Sequence, residues 1–349
     1  MRKDNKEMPG IISTEQELEE ILSRPYPGTV DTCRTLNGDI MILGVAGKMG
    51  PSLAVQIKRG CRMANKNNKI IGVARFSDLR IKEYLEKSGI ETICCDLLDR
   101  DAVDKLPEVE NVIFMAGMKF GTHSKPSLTW AMNSYVPALV ATKYKNSRIV
   151  VLSTGNVYSL VPVNSKGSKE TDIPCPIGEY AQSCLGRERV FEYFSETYRI
   201  PSCIIRLNYA VELRYGVIYD IGTKVFRNEP VNIENGYVNV IWQGWANSVI
   251  FQCLNICSAP PEILNLTGPE ILSVRRIAEE FGSIFGKKVI FEGNESETAY
   301  LSDASECFRL FGKPDVDAMT IVRWVAHWIK IGGRALNKPT HFEERKGRY

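Results

Sequence analysis

The sequence predicts an α/β protein, a doubly wound parallel sheet followed by a smaller lobe of mixed α/β structure. Three observations carry that prediction. Short apolar runs recur at Ile40–Val45, Lys69–Ala74, Thr92–Cys95, Asn111–Met115, Arg148–Ser153 and Ser202–Leu207. Helical patterns lie between most of them, as where Leu53, Ile57, Cys61 and Ala64 share one face. A glycine-rich turn follows the first run directly. Short apolar strands that alternate with helices are the signature of a parallel sheet covered on both faces.

Residues 1–37 precede this alternation and read as an N-terminal extension. Within it "STEQELEEILSRP" has capping-box spacing, Ser13 to Gln16 and Thr14 to Glu17, ahead of a short helix that Pro25 would end. Residues 38–207 hold the alternating pattern and form the predicted nucleotide-binding domain. After residue 208 the pattern loosens into short strands and turns, then into "SVRRIAEEFGSIFG" and "AMTIVRWVAHWIKIGG", two amphipathic helices ending in glycine. Residues 208–335 are thus expected to be mainly a substrate-binding lobe, with some strands and helices returning to the first domain. Residues 336–349 are polar and are expected to be a surface tail.

Bulk properties narrow the function classes. The chain has 349 residues, 44% hydrophobic and 24% charged, with 44 basic against 41 acidic side chains and a net charge of +3. There is no dense Lys/Arg run, so neither nucleic acid nor an anionic membrane surface is an implied partner. Apolar runs such as Ile149–Leu152 are far too short to span a bilayer, and the polar start "MRKDNKEMPG" is not that of a secretory signal. Ten cysteines, several within strand-like runs (Cys94, Cys95, Cys203), fit reduced thiols in the cytoplasm rather than a disulfide scaffold. Cys253 and Cys257 are four apart with no histidine near in sequence, so they line an apolar helix face and no metal is expected.

The glycine turn carries the chemistry. "DIMILGVAGKMGPSLA" sets Gly44, Gly47 and Gly50 between a strand and a helix. The first glycine permits a tight turn, the second a close approach of backbone to a pyrophosphate, and the third close packing of helix on strand. The helix N-terminus adds N–H donors and the positive end of its dipole. Pro51 suits the first helical turn. Strand, triplet, helix and next strand stand in the order a dinucleotide site needs.

The spacing G-x-x-G-x-x-G resembles the extended short-chain dehydrogenase/reductase superfamily, the NAD(P)-dependent sugar epimerase/dehydratase group, over about residues 39–330. "CCDLLDRDAV", "VIFMAGMKFG", "WAMNSYVPA", "RIVVLSTGNVY", "IIRLNYA" and "ILNLTGPEILSVRRIAEEFGSIFG" match further family segments. The resemblance implies a Rossmann-type fold, a nicotinamide cofactor and a carbohydrate substrate. It implies a homodimer joined through helices that flank the sheet. By the same resemblance Gly44, Gly47, Lys48, Met49, Gly50, Asp96, Leu97, Ala116, Gly117 and Asn133 would line the cofactor. Asn156 and Asn208 are substrate candidates, as are Lys119 and His123 in the loop after the fourth strand.

Cofactor choice follows from charge. The position at the end of the second strand that would carry an acid for the ribose of NAD holds Ala74, followed by Arg75. Loss of a carboxylate and gain of a guanidinium favour the 2′-phosphate of NADP, with NAD remaining open should Asp78 serve the ribose.

By resemblance Thr154 is the hydroxyl that orients a substrate oxygen and Tyr180 the acid/base, with Tyr158 structural. The family sets a lysine one turn after the tyrosine; here that position holds Cys184. A phenol titrates near about 10 and needs a neighbouring cation to act as a base near neutrality, a task an uncharged thiol does not perform. Arg187 stands two turns on, a rise of about 10 Å that strains its reach. Lys119 or His123, at the sheet edge where ligands bind, could replace the cation instead. The Asp-Glu pair that dehydrating family members carry after the strand-five hydroxyl is Gly155 and Asn156 here, neither ionisable, which disfavours loss of water and leaves redox or epimerase chemistry. Trp242 and Trp245 are expected in the core.

Overall fold

The structure, a computed structural model, describes residues 8–119, 121–122, 124–338 and 340–348. The chain begins with α1 (Glu15–Leu22) and α2 (Pro27–Thr35) and then enters the sheet with β1 (Ile40–Leu43). There follow α3 (Gly50–Met63), β2 (Ile70–Ala74), α4 (Leu79–Lys87), β3 (Glu91–Cys94), α5 (Arg100–Asp104) and β4 (Asn111–Phe114). Next, α6 (Pro126–Trp130) passes through a π-helical turn (Ala131–Tyr135) into α7 (Val136–Lys143), β5 (Arg148–Thr154), α8 (Gly178–Tyr198) and β6 (Ser202–Leu207). The remainder is α9 (Val217–Phe226), α10 (Gln243–Gln252), β7 (Glu262–Leu266), α11 (Val274–Phe285), α12 (Ser305–Phe311) and α13 (Ala318–Lys330).

Among the described residues, these seven strands form one sheet in the order β7-β6-β5-β4-β1-β2-β3. Every pairing in it is parallel. All residues of β1, β2 and β4 are buried, as apolar runs between two helical layers should be, whereas β3 is half-open because it ends the sheet. All six predicted runs are strands of this sheet, and β7 returns from the later part of the chain to pair with β6. The order reverses between β1 and β4, and the strand ends on either side of that switch open a crevice where α/β sheets bind ligands.

Residues 8–37 hold two helices rather than one. Thr14 accepts from the Glu17 amide while Glu17 accepts from the Thr14 amide, so of the two capping boxes the second forms. Pro25 ends α1, and Pro27 opens α2 at the helical position that tolerates it. Leu18, Ile21, Leu22, Cys33 and Leu36 join the main core, and Arg59 of α3 holds the Glu20 carboxylate. In the later part Trp242 packs edge-on against Trp324 with ring centroids 5.3 Å apart, and Trp245 is buried as well. No helix among the described residues is long and apolar enough to cross a membrane.

The polar C-terminal segment differs from the expected surface tail. Phe342 is fully buried in the main core, and its carbonyl accepts from Asn235 Nδ2. The Thr340 amide and hydroxyl both donate to Asp220 Oδ2, at 2.8 and 2.5 Å. Arg345 Nη2 donates to Thr298 Oγ1 at 2.7 Å. Gly347 lies so close to Gly178 that a methyl group on either would overlap the other's backbone. The segment is polar because its polar groups bind protein, and it straps the later part of the chain to the start of α8.

Candidate active site

A cavity of about 360 Å³ opens at the C-terminal edge of the sheet. One wall is the glycine turn. Gly44 takes φ +88°, and a Cβ there would sit 2.7 Å from the Ala116 amide nitrogen; Gly50 packs flush on the Val45 carbonyl. Only glycine fits those two places, which sets the turn at the α3 N-terminus and leaves Gly47 exposed beside the cavity. Lys48 and Met49 also line it, with Lys48 Nζ 2.9 Å above the Tyr215 ring.

The loop after β4 makes the facing wall. Gly117, Met118 and Lys119 line the cavity, while Ala116 is buried behind them. Asn133, inside the π-helical turn, braces this loop: its Oδ1 accepts from the Met118 amide at 2.9 Å and its Nδ2 donates to the Met118 carbonyl at 3.0 Å. The same Nδ2 also donates to Ser183 of α8. Asn133 is therefore a brace for the wall rather than part of it. The turn's widened backbone is the kind of local distortion that recurs at functional sites.

β5 and α8 supply the floor. Thr154, at the end of β5, lies within hydrogen-bonding reach of both the Asn156 side chain, at 3.0 Å, and the Tyr180 phenol. All three line the cavity. On α8 the residues Tyr180, Cys184, Arg187 and Phe191 follow one another at i, i+4, i+7 and i+11, so they share a face that turns toward the sheet. Beneath them Glu188 and Arg206 form a buried ion pair at 2.8 Å, its other contacts reaching Ser153 and the Tyr158 hydroxyl. Tyr158 donates on to Asn265 and has no place in the cavity lining, in keeping with a structural role.

Electrostatics separate these groups. Burial raises the Tyr180 phenol well above its usual value, with Cys184 adding to the rise and Arg187 and Thr154 opposing it. Burial likewise raises the Cys184 thiol, so at neutral pH it is uncharged and exerts no charge repulsion on Tyr180. Lys119 Nζ stands 5.7 Å from the Tyr180 ring centroid. Most of its surface is covered, and desolvation lowers its ammonium to about 8. Desolvation also lowers Lys48, and repulsion from Lys119 and Lys338 lowers it further.

Other sequence candidates fall elsewhere. Arg75 is exposed just past β2, without a carboxylate partner among the described residues. Asp78, the alternative ribose acid, caps α4 and pairs with Arg80 at 2.8 Å. Asp96 is exposed at the end of β3 and accepts from the Leu98 amide, and Leu97 is buried in the second core. Asn208, a substrate candidate, spends its amide on Asn239 Oδ1 at 2.8 Å and does not line the cavity. His123 lies outside the described residues. The cavity has contributors the sequence did not suggest: Tyr209, Tyr215, Gln243 and, from the strap, Lys338 and Thr340. The apolar Phe342 in an otherwise polar stretch is the available sign that the strap docks.

No known family model matches the chain. No curated protein matches it either. Solved structures do. UDP-glucose 4-epimerase from Thermus thermophilus, in complex with NAD, is 16% identical with a TM-score of 0.70 over 84% of this chain and 99% of that one. UDP-glucuronic acid 4-epimerase from Bacillus cereus, with UDP-glucuronic acid and NAD, is 17% identical with a TM-score of 0.69 over 84% and 99%. The dTDP-glucose 4,6-dehydratase of Streptomyces venezuelae, with NAD, is 16% identical with a TM-score of 0.71 over 84% and 97%. The chain shares their fold, including nearly the whole length of each.

Proposed function

We propose that the protein is an NAD(P)-dependent oxidoreductase or epimerase that acts on a sugar or sugar-derived carbonyl by hydride transfer. It is read as an atypical member of the extended short-chain dehydrogenase/reductase superfamily. One observation carries this: Thr154 and Tyr180 line the same cavity as the exposed Gly47 of a strand–turn–helix glycine loop. The residues present fit a nicotinamide dinucleotide, because the glycine turn leaves open backbone at a helix N-terminus and Gly117 and Met118 face it. The α3 amides would hold its pyrophosphate, the ends of β2 and β3 its adenosine. When bound, it supplies the hydride acceptor and donor.

The chain's own groups handle the proton. Oxidising a carbinol to a ketone requires its hydroxyl proton to be taken up as its C–H departs as hydride. As the phenolate, Tyr180 Oη takes that proton, and Thr154 holds the same oxygen in line. In the reverse direction the raised phenol is already protonated and ready to donate. Gly155 and Asn156 offer no ionisable pair for loss of water, so dehydration is disfavoured.

Arg75, with no carboxylate partner among the described residues, and an Asp78 committed to Arg80 favour NADP over NAD. Residues 38–207 would bind the cofactor and 208–335 mainly the carbohydrate. The ten free cysteines suit the cytoplasm, and a homodimer, checked by sedimentation, completes the family pattern. A second reading is a nucleotide-binding sensor without turnover, favoured by the uncharged Cys184 where the family has lysine.

NADPH and NADH titrations by fluorescence, followed by a screen of sugars, sugar acids and nucleotide sugars, separate the two. The enzyme reading expects turnover that falls roughly 10²–10⁴-fold in Tyr180→Phe with cofactor binding kept. Binding with no Tyr180-dependent turnover on the panel leaves the sensor.

A further inference from the structure

Arg187 is an unusual buried charge. Its side chain is only 6% exposed, yet no carboxylate pairs with it among the described residues. Nη1 donates to the Leu152 carbonyl at 2.5 Å and Nη2 to Asn133 Oδ1 at 2.7 Å, while Nε has no hydrogen-bond partner among the described residues. A guanidinium buried without a carboxylate partner is costly to the fold, which calls for a use of its charge. The adjacent Glu188 does not neutralise it, being held bidentate by Arg206.

Its position supplies the use. Side chains on a helix lean toward its N-terminus, so the reach from residue 187 back to residue 180 is shorter than the rise between their Cα atoms. The guanidinium lies under Gly117, against the cavity that Tyr180 also lines. We infer that Arg187 supplies the positive charge that Tyr180 needs for proton exchange, in place of a lysine at position 184, and so acts as a positioning residue through the phenol. This rests on the acid/base role proposed for Tyr180.

The rival cation is Lys119. Arg187 is the stronger influence: it pulls the Tyr180 phenol down, and on the Cys184 thiol it outweighs Lys119. Lys119 also sheds its proton near 8, whereas a guanidinium keeps its charge throughout. The remaining ionisable groups around the cavity are Lys48 on the glycine turn, Tyr209 and Tyr215 before α9, and Lys338 on the strap. Asp220 of α9 acts on both Lys48 and Lys119.

The test places 3,5-difluorotyrosine, whose phenol titrates well below that of tyrosine, at position 180 of the full chain and follows its ¹⁹F shift against pH. Arg187→Met is expected to raise the midpoint by roughly one pH unit or more. Arg187→Lys should stay near wild type, and Arg187→Met combined with Cys184→Lys should bring the midpoint back. An unchanged midpoint in a folded R187M, or no recovery in the double variant, overturns the assignment. Should R187M lose its near-UV dichroism, Arg187→Gln, which keeps two donors without charge, must give the same rise or the assignment falls. The titration needs neither cofactor nor substrate. A shift without any turnover would leave the assignment of charge standing and sink the enzyme reading.

Discussion

The glycine wall of the cleft and its α8 floor are built by different means. The glycine wall is fixed by backbone: Gly44 and Gly50 sit where any side chain would collide with Ala116 or Val45, so the turn holds its shape whatever surrounds it. The α8 floor is fixed by side chains from distant places, chief among them Glu188, Arg206, Asn133 and Arg187. A wall made of backbone tolerates little change in sequence. A surface made of side chains can exchange parts, and here a thiol stands one helical turn after Tyr180 with a guanidinium three residues on.

Two buried arginines sharpen the contrast. Arg206 has a full carboxylate partner and lies beneath the site; Arg187 has none among the described residues and lies in it. Arg206→Met should therefore act on stability, leaving Glu188 buried and uncompensated at a cost of about 3–5 kcal/mol by urea unfolding. Combining it with Glu188→Leu should recover much of that loss. A cost below about 1 kcal/mol, the range of an exposed ion pair, would show that α8 is held by packing alone and break the comparison.

The same contrast governs what the sequence revealed. Strands β1 to β6 and the glycine turn were legible because burial on two faces and backbone collision write themselves locally into residue type. Asn133 was legible as a position but not as a brace, since its partners Met118, Ser183 and Arg187 lie far off in the chain. For Arg187 the rise between Cα atoms leaves out the lean of helical side chains, which spacing in sequence does not express. The strap looked solvated because composition does not say whether a polar group meets water or, as with Thr340, a buried carboxylate.

On the glycine side, the cofactor preference can be probed through one exposed charge. Arg75→Ala is expected to weaken NADPH about tenfold, on the order of 1.4 kcal/mol, and to leave NADH unchanged. Fluorescence titration at fixed salt reads both. Equal weakening of the two would place Arg75 on a part of the cofactor they share, and no weakening would return the guanidinium to solvent.

The smallest effect concerns Lys119, the cation of the facing wall. Its folded-state ammonium is lowered to about 8 from an unfolded value near 10.5, mainly by desolvation. Below pH 8 both states carry the charge and the folded state bears the cost of burying it. Between pH 8 and 10.5 the unfolded chain binds more protons than the folded one, so stability from this group rises with pH across that window. Replacing it with an uncharged side chain removes the cost where the cost exists. Lys119→Met should thus raise the melting temperature at about pH 7 and have progressively less effect toward about pH 10, with the magnitude reduced because the side chain is partly exposed. A gain that is the same at both pH values would mean that lost flexibility or better packing, and not charge burial, is what the substitution changes. A loss at neutral pH would mean that the ammonium is held by attractive partners, which would make this wall, like α8, one assembled from paired side chains.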